Sequence, residues 1–300
     1  MSSDPKGLRS SFAEIYSRPE KILSFEFFPP RQESALHQTF ALIGALKKSR
    51  PHFMTVTYGA GGGTRAQTQR MTSYIHNILG VPAVAHLTCI GHTIAEVDEI
   101  LNGLQRKGIN KILALRGDPP RGAPPAPSAF SDARQLVRHI KRRTGFSVAV
   151  AGYPETHRQA QSPQADIDYL KAKVDAGAEL IITQLFFDAE IYFKFVDRAR
   201  AAGIGVPITP GVMPISCAAQ LKKFTEMCGA SIPPGVMTEI NRLNGDTAAI
   251  VEFGTDFAIN LCSRLLTGGA PGIHLYTLNR SEQVLPIIQA LGLDRSQTAA

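Results

Sequence analysis

The feature that most constrains this chain is a regular alternation of short apolar, β-branched segments with helix-like segments. Helix-like stretches such as Leu36–Lys48 and Ile94–Lys107 carry apolar residues at spacings of three and four. A repeat of about 30 residues per unit is typical of parallel strands joined by right-handed crossovers, so eight units predict an α/β fold, the TIM (β/α)8 barrel. A doubly wound open sheet is the alternative. The eight predicted strands are Ile22–Phe27, Phe53–Thr57, Ala83–Leu87, Ile112–Leu115, Ser147–Ala151, Leu180–Thr183, Pro207–Thr209 and Ile273–Tyr276.

One interval, between the seventh and eighth predicted strands, is much longer than the others. It is expected to hold three additional helices, Cys217–Met227, Pro234–Arg242 and Ala248–Leu266. The chain of 300 residues is long enough to bury a large core, and its 7% aromatic content without Trp argues against blade repeats. We therefore predict a single domain over residues 1–300, with extra helices before the last strand.

Composition also narrows the setting and the partners. No apolar stretch reaches the roughly 18 residues of a membrane span, and Met1–Ser11 lacks the apolar segment of a signal peptide. The four cysteines form no CxxC pair, which favours a reducing compartment. These features predict a cytoplasmic protein with no membrane partner.

The net charge of +7 favours anionic ligands such as phosphates or polycarboxylates. Charge alone leaves nucleic acid possible, but the densest basic stretch, Arg134–Arg143, is interpreted as a solvated helix face behind an apolar stripe. We therefore predict no nucleic-acid partner.

In a (β/α)8 barrel the active site forms at the carboxyl ends of the strands, so polar residues there carry the functional information. The first predicted strand ends in Ser24-Phe25-Glu26-Phe27-Phe28-Pro29-Pro30. Because apolar surroundings penalise a charged carboxylate, we expect a raised pKa for Glu26, as a general acid near neutral pH requires. The alternative is a structural Glu26 hydrogen-bonded within the barrel.

The other strand ends are less specific. His86 alone is typical of an ordinary core histidine, and Arg116 and Asp118 are compatible with a simple salt bridge. After the fifth strand, Asp166, Tyr169 and Lys173 share one helix face, which suits either a ligand or solvent. The sequence lacks HExxH, a zinc-ligand cluster, the Ser-His-Asp order and a dinucleotide-binding glycine fingerprint, so we expect no metal site.

Taken in order, the strand-end motifs resemble the methylenetetrahydrofolate reductase family, over about Lys21 to Arg280. These motifs are SFEFFPPR, VTYGAGGGTR, HLTC, LRGDPP, AGYPETH, ITQLFFD, PGVMPI and HLYTLNR. The resemblance implies a barrel with noncovalent FAD, NADH or NADPH as electron donor, and reduction of 5,10-methylenetetrahydrofolate to 5-methyltetrahydrofolate. It also implies a homo-oligomer, since relatives are commonly dimers or tetramers.

The resemblance further implies roles for individual residues. Glu26 matches the general acid that promotes protonation of folate nitrogen 10, and Asp118 matches a carboxylate near the flavin and pterin. Gln184, Phe224 and, in the TLNR segment, Arg280 match the folate side. Arg116 and Lys173 would suit the phosphates or ribose of FAD. The implied flavin contacts are Thr57, His86, Arg116, Gly117, Asp118, Tyr153, His157, Asp166, Tyr169 and Lys173.

Two departures from the family pattern bear on ligand binding. Tyr169 stands where relatives often carry Asn, and Gly61–Gly63 replaces a more polar loop. We also expect no regulatory domain of the kind that binds S-adenosylmethionine in eukaryotic relatives. Two alternative functions stay open: a barrel flavoprotein with another substrate or a protein electron partner, and a noncatalytic flavin- or folate-binding subunit.

Overall fold

A computed structural model describes residues 5–30, 32–59, 64–117 and 128–297. Within these ranges, nine parallel strands form one sheet. The strands are β1 (Ile22–Phe27), β2 (Phe53–Val56), β3 (Ala83–Thr88), β4 (Lys111–Leu115), β5 (Ser147–Gly152), β6 (Leu180–Thr183), β7 (Ile208–Thr209), β8 (Gly211–Val212) and β9 (Gly272–Tyr276). Their order in the sheet is β7-β6-β5-β4-β3-β2-β1-β9-β8. The three six-residue strands, β1, β3 and β5, are almost continuously buried, as expected for parallel strands covered on both faces.

The sheet closes at a split strand. Strand β7 pairs with β6, whereas β8 pairs with β9, and only Pro210 separates the two short strands along the chain. Because proline has no backbone N–H, Pro210 cannot donate to the ladder, and the predicted seventh strand, Pro207–Thr209, is followed by a separate short strand, β8, that the sequence did not predict. The Pro210 carbonyl still accepts from the His274 backbone N–H at 3.0 Å. The two edges of the sheet therefore adjoin, and the predicted TIM-type barrel is confirmed.

Helices surround the barrel and connect successive strands. The helices are α1 (Pro5–Arg9), α2 (Phe12–Tyr16), α3 (Leu36–Lys47), α4 (Arg65–Ser73), α5 (Ile94–Arg106), α6 (Ala133–Lys141), α7 (Pro163–Asp175), α8 (Ala189–Ala201), α9 (Ala218–Cys228), α10 (Pro234–Arg242), α11 (Thr247–Thr267) and α12 (Val284–Ala290). Several begin at a side-chain cap, for example Thr93 in a capping box with Glu96, and Ser162 before Pro163. The three helices predicted before the last strand are confirmed as α9, α10 and α11.

The short helix α2 plugs the amino-terminal end of the barrel. Phe12 and Ile15 are buried in one apolar cluster with inward residues of six strands, and the rings of Phe12 and Phe53 lie 5.6 Å apart. The Phe12 backbone N–H donates to Ser147 Oγ at 2.8 Å, which fixes the helix to β5. The interior of the barrel is therefore packed at this end.

Among the described residues, no helix combines the length and the apolar character needed to cross a lipid bilayer.

Candidate active site

A cavity of about 520 Å³ opens at the carboxyl ends of the strands, where the barrel fold places active sites. Its walls come from the ends of β1, β4, β5, β6 and β9 and from helix α9. The lining includes three residues predicted on the folate side or as the acid, Glu26, Gln184 and Phe224. The structure therefore brings together side chains that lie almost 200 positions apart in sequence, between 26 and 224.

A second cavity, of about 260 Å³, adjoins the first. The two share Arg116, Tyr153, His157 and Gln159, so they form one continuous site. The second cavity is also lined by Asp166 and Tyr169 of α7, so these two residues of the predicted helix face meet open space.

The shared wall is held by short-range polar contacts. The Arg116 guanidinium donates to Gln159 Oε1 and to the carbonyl of Gly117, the latter at 3.3 Å. The His157 backbone N–H donates to Asp166 Oδ2 at 2.9 Å, and the Tyr153 and His157 rings meet edge to face at 4.6 Å. These contacts present a cation and two aromatic rings to both cavities.

Glu26 lies at the floor of the larger cavity and is buried. Its Oε2 lies 3.4 Å from His86 Nε2 and 3.5 Å from His274 Nε2, and accepts a 3.4 Å hydrogen bond from Thr55 Oγ1. The Ser24 hydroxyl lies 2.8 Å from Nδ1 of His274. The carboxyl group is thus surrounded by polar side chains of neighbouring strands.

The expectation of a raised pKa for Glu26 is wrong. Burial acts to raise the pKa of this carboxyl, but the neighbouring imidazoles of His274 and His86 outweigh it and bring the pKa to about 2. The phenylalanines next to Glu26 in sequence misled the prediction because alternate residues of a strand point to opposite faces, and Phe25 and Phe27 pack in the core outside the barrel interior.

The TLNR segment after β9 holds the end of β1. Thr277 Oγ1 donates to the Glu26 carbonyl at 2.6 Å. The Asn279 side chain pairs with both backbone groups of Phe28, accepting from its N–H at 2.9 Å and donating to its carbonyl at 2.7 Å. Arg280 is exposed and lines neither cavity, so the structure does not bring it to the other predicted folate-side residues.

Two residues of α7 have partners that the sequence did not reveal. The Tyr169 hydroxyl accepts from the Ala133 backbone N–H at 3.1 Å, at the start of α6. The Lys173 ammonium is buried and donates to the Ala151 carbonyl at 2.6 Å, with the Tyr169 ring centroid 5.1 Å away. Burial lowers the pKa of Lys173 to about 8. Lys173 thus fixes the end of β5 from behind the cavity wall.

The remaining predicted residues fall into three groups. Thr57 and Gly117 follow β2 and β4 at the mouth of the barrel, and Gly117 has a left-handed φ of +82°. His86 lies beside Glu26 beneath the cavity floor. Asp118 and Gly61–Gly63 lie outside the described residues.

Sequence reasoning missed several apolar and aromatic residues of the larger cavity. Met227 of α9 is 52% exposed although it is large and apolar, which is the kind of signal that marks a binding surface. The Tyr276 hydroxyl donates to the Thr183 carbonyl at 2.6 Å and places its ring at the cavity wall. The residues missed are Phe28, Leu185, Met213, Met227, Cys228, Tyr276 and Leu278.

The fold and the site together define a class of protein. It is a (β/α)8 barrel with a composite cavity at the carboxyl ends of its strands and a buried carboxylate beneath that cavity. A sequence profile of the family described as "Methylenetetrahydrofolate reductase" matches residues 11–292. The chain belongs to the methylenetetrahydrofolate reductase family, as the strand-end motifs predicted.

Individual relatives agree with this assignment. The chain is 39% identical over 291 residues to 5,10-methylenetetrahydrofolate reductase of Escherichia coli strain K12, covering 97% of both sequences. It is 38% identical to methylenetetrahydrofolate reductase (NADH) 1 of Arabidopsis thaliana, covering 93% of this chain. The chain spans about half the length of that plant relative and of the plant proteins similar to it.

Among solved structures, the barrel is similar to that of an uncharacterized protein from Clostridium thermocellum that binds two copies of 5-methyl-5,6,7,8-tetrahydrofolic acid. The TM-score is 0.64 at 14% identity, over 95% of this chain and 98% of the other. This likeness supports the fold.

Proposed function

We propose that this chain is a FAD-dependent methylenetetrahydrofolate reductase that interconverts 5,10-methylenetetrahydrofolate and 5-methyltetrahydrofolate, with NADH or NADPH as electron donor. The observation that carries the proposal is the buried Glu26 carboxyl at the floor of a cavity lined also by Gln184 and Phe224. The names of the Escherichia coli and Arabidopsis relatives support the same reaction, and the plant name supports NADH as donor.

The side chains that line the joined cavities are of the types that would hold a flavin dinucleotide and a second ligand. Arg116 supplies a cation where the two cavities meet, and Tyr153 and Tyr169 supply aromatic walls. Asp166 and His157 supply polar groups suited to a ribose or ribityl chain. Bound FAD would supply the hydride-transfer chemistry, which side chains cannot perform.

The protein's own contribution is positioning and proton transfer. Phe28, Phe224 and Met227 offer apolar surface on which a pterin ring would pack and exclude water. Thr277 and Asn279 fix the backbone of β1 on either side of Phe27, so the Glu26 side chain is held at a defined position. In this role Glu26 delivers a proton to the folate nitrogen as its ring opens.

We propose that the protein works in the cytoplasm, from the composition and cysteine pattern of its sequence. We also propose that it is a homo-oligomer, from the resemblance of its motifs to the family.

The first test is an anaerobic absorption spectrum of the purified protein before and after addition of 5-methyltetrahydrofolate. Loss of the flavin band on addition is the expected result, because it requires flavin, substrate and hydride transfer together. A flavin band that methylfolate leaves unchanged would favour a barrel flavoprotein with another substrate. Failure to bind added FAD would favour a noncatalytic subunit.

The second test separates the acid from the redox step. Glu26→Gln should slow folate reduction by about 10²- to 10⁴-fold and leave flavin reduction by NADH within roughly twofold of the unmodified protein. Glu99→Gln is the matched control, since that side chain is 71% exposed on α5. A Glu26→Gln protein with ordinary folate turnover would remove Glu26 from the acid role.

A further inference from the structure

Three titratable side chains from three strands meet in the barrel interior. Glu26 of β1, His86 of β3 and His274 of β9 are all buried, with relative exposures of 7%, 5% and 0%. Both imidazoles direct Nε2 at the same carboxylate oxygen, Oε2, at 3.4 and 3.5 Å. We refer to these three residues as the interior cluster.

The sheet register explains why they meet. Strand β1 lies between β2 and β9, and Glu26 pairs with Thr55 on one side and Tyr276 on the other. His274 pairs with Ser24, two residues before Glu26 and therefore on the same face of the sheet. His86 is two residues beyond Val84, the partner of Thr55, so it also faces inward. Closure of the barrel turns these inward positions towards one another.

The two Nε2 atoms are buried, and neither has a well-aligned hydrogen-bond partner among the described residues. A buried polar atom without a partner is costly, so a closer contact between each imidazole and the Glu26 carboxylate would be favourable. No three His, Cys, Asp or Glu side chains within the described ranges have an arrangement suited to a metal ion. Each of the two imidazole Nε2 atoms lies close enough to the Glu26 carboxylate for the three side chains to share a proton.

Among the residues that the structure describes, few titratable or charged groups face the interior cluster. Tyr276 lies on β9 beside Glu26, and its own pKa is raised by burial and by the Glu26 charge. Arg116, Tyr153 and His157 face Glu26 across the larger cavity, and Thr55 contributes only a hydroxyl. The imidazoles are the basic groups in direct contact with the carboxylate. They account for the lowered pKa of Glu26 against the opposing effect of burial.

We propose that Glu26, His86 and His274 hold one exchangeable proton in common, and that this shared proton is the one Glu26 delivers to the substrate. His86 and His274 act as positioning residues through Glu26. The proposal rests on the acid role given to Glu26 in the proposed function. In each turnover the proton passes from an imidazole Nε2 to Glu26 Oε2 and then to the substrate nitrogen. The cluster is left one proton short and regains it from water through the cavity.

The sharing has a direct spectroscopic consequence. In the unmodified holoprotein at about pH 6, between the ordinary carboxyl and imidazole pKa values, Glu26 should show no protonated-carboxyl infrared band. In the His86→Gln/His274→Gln double variant, burial acts on Glu26 without its basic partners, so a protonated-carboxyl band should appear at a pH above 4.5, the ordinary value. The Glu26→Gln protein assigns the band, because the band is absent from it.

A kinetic measurement gives a second readout. Each single variant, His86→Gln and His274→Gln, should slow folate reduction roughly tenfold near pH 7 and shift its pH profile, because the apparent pKa belongs to the cluster. In His274→Gln, flavin reduction by NADH should stay within about twofold of the unmodified protein, since that half-reaction needs no proton from Glu26. The matched control is His139→Gln on the outer surface, where His139 Nε2 lies 2.7 Å from Asp98. That variant should change neither the infrared band nor the pH profile.

The inference fails, and the acid role of Glu26 stands, if Glu26→Gln slows folate reduction but one of two results is found. The first is no new carboxyl band in the double variant, and the second is an unchanged pH profile in both single variants. Normal folate reduction in Glu26→Gln would instead overturn the acid role in the proposed function. If His274→Gln does not fold, His86→Gln carries both measurements alone, because its Nε2 lies at nearly the same distance from Glu26.

Discussion

Gly117, two residues after the end of β4, is a position where a single methyl group should disturb the cofactor side of the site. Its φ of +82° is left-handed, and a Cβ placed there would lie 2.8 Å from Thr88 Cβ. Gly91 offers a matched control, because its φ is +78° and a Cβ placed there would meet no heavy atom within 4 Å. Alanine at either glycine meets the same backbone strain, whereas only Gly117→Ala adds a steric clash.

Gly117→Ala and Gly91→Ala should lower the free energy of unfolding by measurably different amounts. A left-handed alanine costs about 1–2 kcal/mol, so Gly91→Ala should lower the free energy of unfolding by that amount. The clash with Thr88 adds overpacking, typically about 1–3 kcal/mol, so Gly117→Ala should cost about 2–5 kcal/mol. Its neighbour Arg116 donates to the Gly117 carbonyl at 3.3 Å and lines both cavities, so the shift also disturbs the proposed flavin site.

Urea denaturation measures the change in stability of each variant, and titration with FAD measures its flavin affinity. Loss of one hydrogen bond from a charged donor, about 1.5–3 kcal/mol, corresponds to roughly 10- to 100-fold weaker flavin binding in Gly117→Ala. Gly91→Ala should bind flavin within about twofold of the unmodified protein, because its site of change is open space. Equal stability and equal flavin affinity in the two variants would refute the steric argument.

Three further predictions concern helix α2 at the amino-terminal end of the barrel, the TLNR segment after β9, and stability at acid pH. Phe12→Ala should lower the free energy of unfolding by about 3–5 kcal/mol without changing a flavin spectrum, whereas Ile94→Ala, at a side chain 52% exposed, should change it by about 0.5 kcal/mol or less. Asn279→Ala removes both hydrogen bonds to the Phe28 backbone and should weaken folate binding, while flavin binding stays normal. Unchanged folate affinity would show that these two hydrogen bonds do not position the folate side of the site. The pKa of Glu26 is lowered from 4.5 to about 2, so its ionised form stabilises the folded protein by about 3 kcal/mol above pH 4.5. This contribution is lost as the pH falls towards 2. Urea midpoints measured against pH should therefore fall more steeply for the unmodified protein than for Glu26→Gln, and parallel slopes would count against the lowered pKa.

The barrel could be predicted from sequence because parallel strands buried on both faces leave apolar runs that repeat with the βα unit. Helix α2, which closes the amino-terminal end of the barrel, could not be predicted. Phe12–Tyr16 is five residues long, too short to show a helical period, and its burial depends on a barrel formed by residues later in the chain. The split at Pro210 was likewise hidden, since a strand ended by proline and a strand interrupted by it look alike in sequence.

The lowered pKa of Glu26 shows where local sequence reasoning reaches its limit. The neighbours of Glu26 along the chain, Phe25 and Phe27, point to the opposite face of β1, so they do not solvate or desolvate its carboxyl directly. The groups that set its protonation come from positions 86 and 274, on β3 and β9, whose inward side chains meet Glu26 in the barrel interior. A residue's acidity in a closed sheet is therefore determined by inward residues of adjacent strands, and a predicted strand register carries more information about it than the flanking sequence does.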